Sequence, residues 1–176
     1  MFKRKISSIM KKKQTSPNIS KNFMDHNHEL CFESALKDFK QHFIKKELKL
    51  TPLRLKVFQL LLKDHRPLGA YQILDLLRKD GFSSTPPIAY RVLDFLIKHG
   101  FVHKIKKLNA FVACSHPGNS HSPTFMICRK CEKVAEINEK ESGLNFNRAP
   151  SSEFKIEEAI IELIGICKNC TKLEVI

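Results

Sequence analysis

Apolar residues recur at helical spacing in four successive segments between residues 30 and 98. In the first segment, Leu30, Ala35, Phe39 and Phe43 are separated mainly by charged and polar residues. Side chains three or four positions apart lie on the same face of an α-helix, so this spacing is typical of a helix with one buried face. We expect a helix that begins near Leu30.

The second segment carries its own start signal. Thr51 is a good N-cap residue, and Pro52 suits the first position of a helix because that position needs no N–H donor. The apolar face is then predicted to contain Leu53, Val57, Leu60 and Leu61. We expect this helix to end near Arg66 and Pro67.

The third segment is punctuated by a glycine. A helix with Ala70, Ile73, Leu74 and Leu77 facing inward is expected to end at Asp80-Gly81, where glycine can adopt the left-handed C-cap conformation. This helix directly precedes the segment that is predicted to form the fourth helix.

A fourth helix is predicted to open at Ser84-Thr85-Pro86-Pro87 and to end at His99-Gly100. Its predicted buried face contains Ile88, Val92, Phe95 and Leu96. The opposite face carries Tyr90, Arg91, Asp94 and Lys98.

After the helices, residues 101–105 and 110–114 are predicted to form a β-hairpin around the basic turn 106–109. Helices followed by a basic hairpin indicate a winged helix-turn-helix. The fourth helix would then enter the major groove of DNA, and the hairpin would be the wing.

The second half of the chain has a different pattern. Residues 115–123 form a polar hinge, and 124–127 and 134–137 are strand-like. Residues 154–166 are predicted to form a core strand, although a helix stays possible, and 138–153 is a weak helix prediction. The resulting α+β organisation is an arm (1–29), a winged-helix domain (30–114), the hinge, and a small α/β domain (124–176).

Charge separates the same two halves. The net charge is +13, and residues 45–107 carry 14 basic and five acidic side chains, whereas residues 132–162 carry four basic and eight acidic ones. This asymmetry favours a nucleic-acid-binding module joined to a module with another task, with a solvated lysine-rich surface as the alternative. The basic arm would add phosphate affinity or be an inert extension.

No apolar run approaches the length of a membrane span, and no signal peptide follows the basic N-terminus. Together with six cysteines, this pattern favours a cytoplasmic, reducing location, with an organelle transit peptide as the alternative.

Two Cys-x-x-Cys pairs carry the strongest chemical signal. Cys128 and Cys131 are separated by 35 residues from Cys167 and Cys170. Two such pairs supply the four thiolates of a tetrahedral structural zinc site, which would join the two ends of a small domain. Two disulfides or a chance arrangement are the alternatives.

A second set of possible ligands consists of His103, Cys114, His121 and Glu136, with His116 as a rival for His121. Imidazole, thiolate and carboxylate are zinc ligands, and four of them leave no open position for catalysis. From spacing alone, His103 could be an ordinary strand residue, Cys114 a buried apolar residue and Glu136 a surface acid.

Several motifs in combination resemble the ferric-uptake-regulator family, and most closely its zinc-sensing branch. They are Leu50-Thr-Pro-Leu-Arg54, Ala70-Tyr71, Pro87-Ile-Ala-Tyr-Arg91, Gly100-Phe-Val-His103 and the two Cys pairs. The resemblance covers roughly residues 35–170. It implies a dimeric, metal-dependent bacterial repressor of zinc uptake genes, with a winged helix followed by an α/β dimerisation domain.

The resemblance also implies residue roles. Cys128, Cys131, Cys167 and Cys170 match structural zinc ligands, and His103, Cys114, His121 and Glu136 match regulatory ones, giving two zinc ions per protomer. The implied DNA-contacting residues are Tyr90, Arg91, Arg54 and Tyr71. Ile88-Ala89 departs from the Thr-Val of the family, so a hydroxyl that could meet phosphate is missing.

The implied partners are double-stranded operator DNA and a second copy of the chain, with no membrane. An iron, manganese or peroxide sensor is the alternative within the family. We expect no enzyme, because the sequence has no HExxH motif, phosphate loop or evident nucleophile–base pair, although a zinc-containing nucleic-acid-processing enzyme stays as a lesser alternative.

Overall fold

The computed structural model describes Phe23 and residues 28–63, 66–115, 117, 123–137 and 159–172. The predicted arm, His116, His121 and the weak helix prediction at 138–153 therefore lie outside the described residues, apart from Phe23 and the start of the first helix. In the part of the chain that the structure describes, no helix is both long enough and apolar enough to span a bilayer.

Four helices form the N-terminal lobe (residues 28–113). They are α1 (His28–Lys45), α2 (Pro52–Leu62), α3 (Ala70–Lys79) and α4 (Pro86–Lys98). Helix α1 begins two residues before the predicted start, and α2 ends four residues before Arg66. Thr51 caps α2 as predicted, since its hydroxyl accepts a hydrogen bond from the N–H of Arg54 at 3.3 Å.

The core of this lobe contains a group of packed phenylalanines among aliphatic side chains. Phe39 stacks on Phe58 with ring centroids 4.0 Å apart, and Phe101 contacts Phe39 edge-on at 4.7 Å. The predicted inward face of α3 is confirmed, because all four of its residues are buried. Gly81 closes α3 with φ of +80°, the left-handed conformation that glycine adopts without strain.

Two predictions about buried positions are wrong. Ile88 is 37% exposed at the start of α4, where Ala89 and Leu93 are buried together with the predicted Val92 and Leu96. Leu30 is 63% exposed on α1. In α4 the buried face is rotated from the predicted one, whereas in α1 the predicted Phe39 and Phe43 are buried and Leu30, at the N-terminal end, is not.

The wing is an antiparallel hairpin of β1 (Val102–Ile105) and β2 (Ala110–Ala113), as predicted. The C-terminal lobe (123–137 and 159–172) contains β3 (Thr124–Cys128), β4 (Val134–Ile137), β5 (Ile161–Gly165) and a short helix α5 (Lys168–Lys172). Its sheet has the order β4-β3-β5, with β4 antiparallel and β5 parallel to β3. The strand prediction therefore holds for 161–165, but the prediction of a core strand is wrong, because β5 lies at the edge of this sheet and its Leu163 and Ile164 are exposed.

The wing and the C-terminal sheet share one apolar cluster. Ile105 and Val112 of the wing pack with Phe125, Ile127 and Val134 of the sheet, and all five side chains are buried. The wing is therefore the part of the N-terminal lobe that packs on the C-terminal lobe, and a ligand that joins the wing to the sheet acts on the relative position of the two lobes.

Candidate metal sites and DNA-binding surface

The first cluster is formed by Cys128, Cys131, Cys167 and Cys170. Their sulfur atoms lie within 4.8 Å of one another, and the Sγ atoms of Cys131 and Cys167 are 3.8 Å apart. A zinc–sulfur bond of about 2.3 Å places the sulfurs of a tetrahedral site about 3.8 Å apart, whereas a disulfide needs about 2.05 Å. All six cysteines lie within the described residues and none is in a disulfide, so this geometry fits zinc.

Backbone geometry holds the first cluster together. The chain turns sharply after Cys128, with Glu132 in the left-handed region at φ of 58°, and the N–H of Arg129 donates to the carbonyl of Gly165 at 2.9 Å. Cys167 follows β5, and Cys170 lies in α5. The end of β3 and the end of β5 are therefore joined at the same edge, which brings the two Cys pairs together.

The thiol of Cys128 is prepared for deprotonation. Burial acts to raise its pKa, but backbone N–H groups, foremost that of Cys167 at 3.3 Å from the sulfur, lower the pKa to about 6. The pKa of Cys170 is raised to about 12, first by its hydrogen bond with Cys167. Four clustered thiols cannot all ionise without a cation, which is the charge that a metal ion supplies.

The second cluster contains three of the four residues of the predicted regulatory set. His103, Cys114 and Glu136 place their ligand atoms within 4.8 Å of one another. Nε2 of His103 is 3.5 Å from Oε1 of Glu136, and Sγ of Cys114 is 3.9 Å from the same oxygen. Slight contraction of these distances would let the three side chains occupy three of the four positions around a zinc ion, while His121 lies outside the described residues.

The three side chains come from different elements. His103 is on β1, and Cys114 is fixed just beyond β2, because its N–H donates to the carbonyl of Phe101 at 2.8 Å. Glu136 is on β4 of the C-terminal lobe, and its side chain is only 3% exposed. The carboxylate also accepts a hydrogen bond from the N–H of Ser115 at 2.8 Å. The second cluster therefore spans the two lobes.

This environment favours a charged imidazole in the absence of metal. Burial acts to lower the pKa of His103, but hydrogen bonds and charge interactions with Cys114 and Glu136 outweigh burial and raise the pKa to about 9. A positive charge is thus favoured at this point, and a divalent cation that binds there must displace the proton.

The predicted DNA-contacting residues divide into two groups. Tyr71 on α3 is 68% exposed and Tyr90 on α4 is 42% exposed, and Arg91 beside it is also exposed. Arg54 already has partners within the protein. Its guanidinium lies 3.4 Å from the ring centre of Phe95 and donates to the carbonyl of Lys49 at 2.5 Å.

One contact had no signal in the sequence. The carboxylate of Glu162 on β5 accepts hydrogen bonds from the backbone N–H groups of Lys106 and Lys107 at the tip of the wing. Its partners are backbone atoms of a turn 56 and 55 residues away, and neither spacing nor residue type reveals such a pairing.

Comparison with known proteins agrees with these features. The model of the ferric uptake regulator family matches residues 45–164. The zinc uptake regulation protein of Escherichia coli (strain K12) is 34% identical over 131 residues, which are 73% of this chain and 77% of that protein.

Two solved structures are similar over most of their length. Holo XcZur is 36% identical with a TM-score of 0.70, covering 79% of this chain and 98% of that one. A zinc uptake regulator complexed with zinc and DNA is 32% identical with a TM-score of 0.74, covering 82% of this chain and 98% of that one. The fold, the sequence match and the two Cys pairs agree: the chain belongs to the ferric uptake regulator family.

Proposed function

We propose that this protein is a zinc-responsive transcriptional repressor that binds operator DNA as a homodimer and controls genes for zinc uptake. The observation that carries the proposal is the second cluster, in which the ligand atoms of His103, Cys114 and Glu136 lie within 4.8 Å of one another. Two of these residues belong to the wing and its end, and the third belongs to the C-terminal lobe. A ligand bound there links the DNA-binding lobe to the other lobe.

The donor set favours zinc over manganese, the metal of one alternative sensor. A thiolate beside an imidazole suits zinc, whereas manganese prefers oxygen ligands. With His121 as the fourth ligand, the shell would be closed and would leave no position for water or substrate. The site is then regulatory, in keeping with a family of transcription regulators.

The exposed face of α4 is suited to the major groove. Arg91 presents five N–H donors and can form a bidentate pair with guanine, and Tyr90 beside it can contact a thymine methyl or a phosphate. Tyr71 is exposed on the neighbouring helix. The lysines of the wing, Lys104, Lys106 and Lys107, are exposed and add phosphate affinity that depends on salt.

The first cluster has a different role in this proposal. Its four thiolates would hold one zinc permanently, as part of the folded C-terminal lobe, and support the dimer. Zinc in such sites supplies about 10 kcal/mol to the folding of a small module. Two zinc ions per protomer follow, one structural and one exchangeable.

Operator selection with and without a zinc chelator tests the proposal. We expect a defined sequence to be enriched from random duplexes only when zinc is present at two equivalents per protomer. The Cys114→Ser variant should lose this enrichment, and the Cys31→Ser variant, with its thiol on α1 outside both clusters, should keep it. Equal enrichment by the wild type with and without the chelator, with affinity set by salt alone, would point to a passive DNA-binding protein instead.

A further inference from the structure

The wing turn, residues 106–109 between β1 and β2, is held by a carboxylate of the other lobe. The N–H of Lys106 donates to Oε1 of Glu162 at 2.6 Å, and the N–H of Lys107 donates to Oε2 at 2.9 Å. Each carboxylate oxygen therefore accepts one backbone amide. Hydrogen bonds to an ionised acceptor are stronger than neutral ones, and two parallel bonds also fix the orientation of the turn.

In the sheet, this carboxylate and the Glu136 carboxylate of the second cluster lie on either side of the central strand β3. Phe125 on β3 is paired with Glu136 on β4 and with Glu162 on β5. Residues paired across neighbouring strands share one face of a sheet, so these three side chains form a row that faces the wing. Phe125 packs on Ile105 and Val112 of the wing, with one carboxylate on each side of it.

The two carboxylates differ in their partners. Glu136 contacts the wing through His103 and Cys114, which are themselves candidate metal ligands. Glu162 instead accepts from backbone amides, which neither titrate near neutral pH nor bind zinc. The side chains of Lys106 and Lys107 stay exposed, and their charges remain available for DNA phosphates.

We propose that Glu162 is a positioning residue that anchors the wing to the C-terminal sheet without metal and thereby sets the zinc concentration at which the protein binds its operator. This inference rests on the proposed function. The anchored arrangement brings His103 and Cys114 close to Glu136 before zinc binds. The apparent zinc affinity is the intrinsic affinity multiplied by the fraction of molecules in that arrangement, so a weaker anchor demands more zinc.

The Glu162→Gln variant tests the anchor. Glutamine has nearly the same size but replaces one acceptor oxygen with an NH2 donor, which cannot accept a bond from a backbone N–H. We expect the zinc concentration for half-maximal operator binding to rise about five- to tenfold. At saturating zinc, operator affinity should change less than about twofold, because the bound ion then holds the arrangement.

Glu33→Gln is the matched control, since Glu33 is exposed on α1 and loses the same charge. Equal shifts of the zinc midpoint in the two variants would mean that charge alone acts on DNA binding, and the anchor would be refuted. An unshifted midpoint in Glu162→Gln would refute it as well.

Amide hydrogen exchange separates this inference from the proposed function. In protein that retains zinc only in the first cluster, and without DNA, the amides of Lys106 and Lys107 should exchange faster in Glu162→Gln than in the wild type. Amides within α3 should be unaffected. If exchange at the wing turn is unchanged, the anchor is refuted, whatever the DNA-binding result. If operator binding by the wild-type protein does not depend on zinc, the proposed function is refuted, and the exchange result alone decides whether Glu162 anchors the wing.

Discussion

The two metal-ligand clusters differ in what they join. Cys128, Cys131, Cys167 and Cys170 all belong to the C-terminal lobe, at the adjacent ends of β3 and β5 and in α5. The second cluster takes His103 and Cys114 from the wing and its end, and Glu136 from β4. Ligands within one lobe stabilise that lobe, whereas ligands from two lobes select one relative position of the lobes.

The chemistry of the clusters follows the same division. In the first cluster, backbone N–H groups surround a thiol whose pKa is lowered to about 6, so the site is formed only when the local chain is folded. Metal binding there would be part of the folding free energy. In the second cluster, the wing and the sheet are already folded, so a metal ion bound there would contribute a coupling free energy between the lobes.

Removing a ligand from the first cluster should have the largest effect. We expect Cys128→Ser to lose its structural zinc, to unfold most of the C-terminal lobe and to be monomeric, because up to about 10 kcal/mol of metal-derived stability is removed. Zinc counting, circular dichroism and size-exclusion chromatography measure these changes. Cys31→Ser should behave as wild type, and a folded, zinc-loaded Cys128→Ser dimer would show that the first cluster is not structural.

Removing a ligand from the second cluster should leave the fold intact. We expect His103→Ala to keep one zinc per protomer and its dimeric state, and to lose between about 5- and 150-fold in operator affinity at saturating zinc. Fluorescence anisotropy with labelled operator measures the loss. If the variant binds and responds to zinc as the wild type does, the second cluster is not the sensor.

Proton competition should distinguish the clusters more finely. The pKa of His103 is raised to about 9 in the metal-free protein, so this imidazole is protonated at neutral pH and zinc must displace the proton. The affinity of the second cluster should therefore rise at least about tenfold per pH unit between pH 6 and 8 and level off near pH 9. Competition with a chromophoric chelator measures this slope.

The zinc count of the first cluster should remain one per protomer across the same pH range. A second-cluster affinity that is flat between pH 6 and 8 would mean that no proton is displaced from His103, and the assigned ligand would be wrong.

The fold could be predicted from local pattern wherever that pattern has a single solution. In α3, the buried residues Ala70, Ile73, Leu74 and Leu77 are the apolar ones, so the predicted face is the observed one. In α4, two faces meet the same helical spacing. The larger Ile88 favoured one face, but the small Ala89 is buried and Ile88 is exposed, because space at the core decides the orientation.

The sites, like the helices, could be predicted where the local sequence pattern has a single interpretation. The Cys pairs carry their geometry in local spacing, and the structure brings all four sulfurs together. The residues of the second cluster are scattered along the chain. Their residue types suggested a metal site, but their spacing did not distinguish such a site from ordinary strand and surface residues, and the structure brings three of them together. The contact of Glu162 with the wing could not be predicted from the sequence, since its partners are backbone amides of a distant turn.

The most direct test of the account is a zinc titration of metal-free protein in which bound zinc per protomer and operator binding are followed in the same samples. We predict that the first equivalent restores the folded dimer with little operator binding, and that operator binding appears between one and two equivalents. In His103→Ala, the second step should be absent. Full operator binding at one equivalent, unchanged in His103→Ala, would contradict the claim that the second cluster controls DNA binding by joining the two lobes.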